Sequence, residues 1–249
     1  MSRAHAIVVG ASSGLGHAIA KRLLRGGHVV SGLARHDSPA DAVDTSFTCD
    51  VTDEAKLQVA LRGAVAKYGP PDVLVYAAGV PAMGKTTEVP RDVARRCFEV
   101  NFWGLDSTVR EILPIMKARR RGTILGLSSI VALRPVPNEA FYAASKAASA
   151  RYLGCLANEV ASDGVKVKFL NVGFVDTGFA QKGGWHGMET PARGPGGGSG
   201  VGPDDVAEAA LQLIASDRMS DIIGWKENAI ALADRMFPEL YDRLLRSRK

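Results

Sequence analysis

The chain has 249 residues, a length for one α/β domain or two small ones and enough to bury a substantial core. Hydrophobic residues at 46% and charged residues at 23% are an ordinary globular balance, and no apolar run approaches the ~18 residues of a membrane-spanning helix. A net charge of +5 without a long block of like charge argues against a nucleic-acid arm, and Arg119-Arg120-Arg121 reads instead as a basic cluster at a helix C-terminus.

Short apolar runs alternate with longer amphipathic ones. The first strand, 6–9, leads into Val9-Gly10-Ala11-Ser12-Ser13-Gly14-Leu15-Gly16 and a helix over 15–25. Gly10 permits a tight turn; Gly14 and Gly16 leave room for a pyrophosphate to approach the backbone, and the helix N-terminus offers amides and a positive dipole end. A second strand, 29–34, is followed by Arg35-His36. No acid stands there to hold ribose hydroxyls, and the Arg35 guanidinium suits a phosphate. Further strands are expected over 47–49, 73–77, 123–127 and 167–172, with helices over 54–68, 91–119 and 141–162. This alternation argues for parallel strands with helices on both faces. A glycine-dense stretch, 183–202, reads as a linker or as a lid, and its place soon after the sixth strand favours the lid. Asp204-Asp205 opens another helix, Ile222-Ile223-Gly224-Trp225 suits a short seventh strand, and 229–246 suits a basic amphipathic helix that closes the core, meets a subunit or lies on a membrane surface.

Cys49, Cys97 and Cys155 are not spaced as ligands. We expect three buried, reduced thiols, no metal site, no signal peptide and a cytoplasmic protein.

Tyr142-Ala143-Ala144-Ser145-Lys146 puts a phenol and an ammonium on one helix face. The ammonium is expected to draw the phenol pKa down toward neutrality, where it can give or take a proton. Ser129 ends the fifth strand, at the sheet edge where ligands bind, thirteen residues before Tyr142. It can orient a substrate oxygen, whereas Ser128 is out of phase.

Together, the G-x-x-x-G-x-G turn, Asn101 in Val100-Asn101-Phe102-Trp103-Gly104, Ser129, Tyr142 and Lys146 resemble the short-chain dehydrogenase/reductase (SDR) family across residues 4–177. Val9 stands for the usual threonine, Tyr76-Ala77-Ala78-Gly79 for N-N-A-G, and Asn171-Val172-Gly173 for N-P-G. The resemblance implies a Rossmann-like, doubly wound parallel sheet of six or seven strands, and residues 1–249 are expected to form one domain around it. It implies a catalytic set of Asn101, Ser129, Tyr142 and Lys146, with Asn101 holding a water between the lysine and solvent. It implies a cofactor site of Gly10, Ser12, Ser13, Gly14, Leu15, Gly16, Arg35, Asp50, Val51, Ala78, Gly79, Tyr142, Lys146, Gly173, Val175 and Thr177. Asp50 would accept from the adenine amino group, and Val175 and Thr177 would meet the carboxamide.

The expected cofactor is NADP(H), with NAD(H) the alternative. The expected substrate is a hydrophobic or aromatic ketone, aldehyde or secondary alcohol, facing 133–138, 81–83 and 179–188, with Arg134 leaving an acidic substrate open. A homodimer through 91–117 and 141–162, or a tetramer, is expected. A cofactor-binding sensor without turnover and a non-redox isomerase or dehydratase are the competing readings.

Overall fold

A computed structural model describes residues 3–175, 177–179, 185–189 and 201–224, together with isolated positions beyond 228. Seven strands form one parallel sheet: β1 (His5–Val9), β2 (Val29–Ala34), β3 (Thr45–Thr48), β4 (Val73–Tyr76), β6 (Gly122–Ser129), β7 (Val165–Val172) and β9 (Ser220–Ile222), in the order β3-β2-β1-β4-β6-β7-β9. The strand order reverses between β1 and β4, so the sheet is doubly wound and its ligand crevice lies beyond the carboxyl ends at that switch point.

The inner strands β1, β2, β4, β6 and β7 are nearly continuous runs of buried side chains because both faces are covered, whereas the outer β3 and β9 are only partly buried. On one face, α2 (Glu54–Tyr68), α4 (Gly104–Arg119) and α5 (Ala140–Glu159) bury Leu57, Leu61, Val109, Ile112, Leu153 and Leu156. On the other, α1 (Gly14–Arg25) and α6 (Pro203–Ala215) bury Ile19, Leu23, Val206 and Leu213. A two-stranded parallel pair stands apart, β5 (Met83–Gly84) with β8 (Trp185–His186).

Several expectations are refined. The third strand runs Thr45–Thr48 rather than 47–49, and β6 begins at Gly122 and ends on Ser129. The helix expected over 91–119 is α3 (Arg91–Phe98), a π-helical turn (Glu99–Trp103) and then α4. That turn is held by Tyr76, whose buried hydroxyl donates to Val100 O at 2.5 Å. The widened turn frees a carbonyl, and Tyr76, standing where the resemblance implied an asparagine, satisfies it. A Cβ at Gly104 would lie 2.5 Å from that hydroxyl, which accounts for the glycine.

The seventh strand starts two residues earlier and ends three residues earlier than expected, and Ile223 N donates to Asn171 O beyond its end. Cys155 is exposed, against the expectation of three buried thiols, because it faces outward on α5. Most of 183–202 and of 229–246 lies outside the described residues. Among the described residues no helix is long and apolar enough to cross a membrane, and no cluster of metal-ligating side chains is present.

Candidate active site

A cleft of about 1330 Å³ opens at the switch point. Its floor begins at the β1–α1 turn. Gly10 has φ +91°, and its amide donates to Leu33 O at 2.7 Å. A Cβ on Gly16 would meet Gly10 O at 2.1 Å, so the turn closes only around glycine. The first turn of α1 carries no acid, and Ser13 caps it without a side-chain bond to the helix. The helix N-terminus is thus left open to an anion.

Every residue expected to hold a cofactor lines this cleft, from Gly10 and Ser12 through Arg35, Asp50, Val51, Ala78 and Gly79 to Gly173, Val175 and Thr177. The cradle and the volume fit a dinucleotide. At the adenine end, however, Asp50 is already engaged. It accepts from Arg96 Nη2 at 2.6 Å, from Thr52 N at 3.0 Å and from Thr52 Oγ1 at 2.9 Å. Burial pushes its carboxyl up, but the bonds from Thr52 and Arg96 prevail and hold it below the usual range. Arg96 was not foreseen: nothing in the periodicity of α3 shows that it faces Asp50 across the cleft.

Ser129, Tyr142 and Lys146 meet in the same cleft. The chain places Ser129 at the end of β6, paired in register with Val172 of β7. Its hydroxyl accepts from Val131 N at 3.4 Å and faces the phenol. Ser128 also borders the cleft, but its hydroxyl donates to Lys146 O at 3.5 Å.

The alanine-rich start of α5 carries Tyr142 and Lys146 one turn apart. They do not bond. Lys146 Nζ donates to Leu127 O at 2.8 Å and lies 6.0 Å from the Tyr142 ring centroid. The expected fall in the phenol pKa is not found. Burial raises it, the nearby Glu139 and Cys97 add to the rise, and Ser129 opposes it. Burial likewise brings the Lys146 ammonium down to about 8. The phenol ring lies beside Phe179, tilted by 51° with ring centroids 5.5 Å apart.

Asn101 stands behind the cleft rather than on its wall, 1% exposed inside the π-helical turn. Its Oδ1 accepts from Val80 N at 2.8 Å; its Nδ2 donates to Val80 O at 3.1 Å and Ser145 Oγ at 2.9 Å. The side-chain amide of Asn101 is thus engaged by protein groups, and its main-chain carbonyl accepts from Ser149 Oγ at 2.9 Å. Ser145 passes the brace on, donating to Tyr142 O at 2.8 Å.

The substrate end departs from expectation. Arg134, Val136, Pro137, Pro81, Met83 and Phe179 do line it. Glu139, 4% exposed and just beyond the expected 133–138, lines it as well and adds a carboxyl group to that wall. Burial pushes the Glu139 carboxyl up to about 7, against the attraction of Arg134. The sequence signal was its place three residues before Tyr142, one helical turn away.

Residues 4–184 match the short chain dehydrogenase family. The chain belongs to that family. It is 32% identical over 173 residues to a 3-ketodihydrosphingosine reductase of Bacteroides thetaiotaomicron, covering 70% of this chain and 64% of that protein. A short-chain dehydrogenase from Streptomyces avermitilis superposes with TM-score 0.82 at 28% identity, covering 100% of this chain and 98% of that one. A variant of actinorhodin polyketide ketoreductase with NADPH superposes with TM-score 0.76 at 25% identity, covering 90% and 98%. Family membership makes this chain an oxidoreductase with a nicotinamide cofactor, built on the Rossmann-like sheet that these relatives share.

Proposed function

We propose that this short-chain dehydrogenase is an NADP(H)-dependent reductase of ketones or aldehydes, working in reverse on secondary alcohols. The observation that carries the reading is the convergence of Ser129, Tyr142 and Lys146 on the cleft that opens at the Gly10 turn. Arg35 at the end of β2 supports the 2′-phosphorylated cofactor, and the similar ketoreductase was solved with NADPH.

When bound, the cofactor supplies the hydride. The Gly10–Gly16 turn and the N-terminus of α1 would take the pyrophosphate, Arg35 the phosphate, Lys146 the nicotinamide ribose, and Val175 and Thr177 the carboxamide. Ser129 holds the substrate oxygen against Tyr142. As the carbonyl carbon gains its new bond, the π pair moves to oxygen, and Tyr142 gives that oxygen its proton. A phenol raised by burial is protonated at neutral pH, which is the form that donates. The Lys146 ammonium then stabilises the phenolate until it is reprotonated from solvent. Asn101 acts as a brace for Val80, Ser145 and hence the start of α5. Assembly as a homodimer through residues 91–117 and 141–162, with a tetramer the alternative, belongs to the same reading.

Steady-state assay with NADPH and a panel of aromatic ketones tests it. Tyr142→Phe should lower kcat by roughly a hundred- to ten-thousand-fold while NADPH still binds. Undiminished turnover in that variant overturns the mechanism, and product formation without NADPH consumption favours an isomerase or dehydratase.

A further inference from the structure

Resting on the reductase reading, we propose that Glu139 is a specificity-determining residue that binds a basic amine on the carbonyl substrate, so that the preferred substrates are amino ketones.

The argument begins with where the carboxylate sits. Glu139 occupies the N-cap position of α5: its carbonyl accepts from Ala143 N at 2.7 Å and its amide donates to Val136 O at 3.3 Å. A glutamate there can serve the helix by capping it, but this side chain makes no cap bond. Among the described residues nothing hydrogen-bonds its carboxylate, although the residue is 4% exposed and lines the cleft. Its oxygens are not among the fully enclosed unpaired atoms, so they keep access to the cleft, where a ligand can bond them.

Its neighbours define the ligand. Arg134, from the same loop, lies close enough to favour the ionised form, and Tyr142 follows one turn later on α5. Residues three apart on a helix have Cβ atoms about 5–6 Å apart, so a cation on the carboxylate stands a few bonds from a carbonyl held at the phenol. Arg134 contributes charge to this wall but no hydrogen bond to the carboxylate, and an ammonium supplies those donors together with a second positive charge. It also offsets the anion beside Tyr142, which opposes formation of the phenolate during reduction. The remaining wall, Val136, Pro137, Met83 and Phe179, is apolar and suits the rest of such a molecule.

The test compares isosteric pairs: phenacylamine against propiophenone, and β-aminopropiophenone against butyrophenone. The protein should favour the amine of at least one pair by about tenfold or more in kcat/KM. Glu139→Gln should bring that ratio toward one, and Glu139→Asp should retain part of it. Calorimetric titration of the NADP+ complex with each compound reads the same preference in binding, without turnover. Equal handling of amine and isostere, or a preference that survives in Glu139→Gln, overturns the inference while leaving the reductase intact. If no ketone is consumed with NADPH the reductase reading fails, and the calorimetric ratio still decides whether Glu139 binds amines.

Discussion

Tyr142 and Lys146 are shifted in opposite directions by one cause. Burial disfavours charge on either, so it raises the phenol and lowers the ammonium, and the pair rests closer to neutrality than free side chains would. Glu139 completes the set, with its carboxyl up to about 7. An acid whose folded-state pKa is raised binds more protons folded than unfolded between its ordinary range and 7. Stability from this group is therefore present at low pH and lost as pH rises through 7. Glu139→Gln should relieve that loss, stabilising the protein at pH 8 by on the order of 2–3 kcal/mol and much less at pH 5. Urea titrations at the two pH values check this; an equal gain at both would refute it. Such a gain at the expense of selectivity is the trade expected where a residue is kept for binding. The sequence placed Tyr142 and Lys146 on one face, but the sign of the phenol shift was not legible, because it depends on how deeply the β6 edge and α3 enclose the helix.

The π-helical turn at Glu99–Trp103 is the element on which the site leans. It turns Asn101 inward, to Val80 and Ser145, and presents Val100 O to Tyr76. Tyr76→Phe removes one buried hydrogen bond and leaves a carbonyl unsatisfied, with an expected cost of about 1–3 kcal/mol. A fall in the urea midpoint with unchanged slope is the expected result; an unchanged midpoint would show that the turn holds without Tyr76. The amphipathic pattern over 91–119 showed the helix but not its extra residue. Periodicity reports which face is buried, and a single widened turn hardly disturbs it, whereas the group that satisfies the widened turn comes from β4.

At the scale of the whole molecule, the dinucleotide cleft joins turns from β1, β2, β4, β6 and β7, so ligand binding should stabilise the fold as one unit. With NADPH at a hundredfold over its Kd, linkage gives about 2.7 kcal/mol, read as a rise in Tm. Arg35→Ala should weaken NADPH binding by roughly ten- to a hundredfold and shrink that rise, leaving the response to NADH little changed. Equal losses for both cofactors would overturn the assignment of Arg35 to the phosphate.

The sequence by itself determined the parallel sheet, the glycine turn and the Ser129, Tyr142 and Lys146 spacing. These are set by local periodicity, backbone freedom and helix geometry, each of which acts over a few residues. Only the tertiary structure decided that Asp50 is paired with Arg96, that Asn101 is enclosed by protein groups, and that Glu139 is buried beside the phenol. Those outcomes depend on which side chains distant segments bring together and on the dielectric they create there. Tyr142 is an ordinary helix tyrosine until β6, α3 and the loop before α5 close around it.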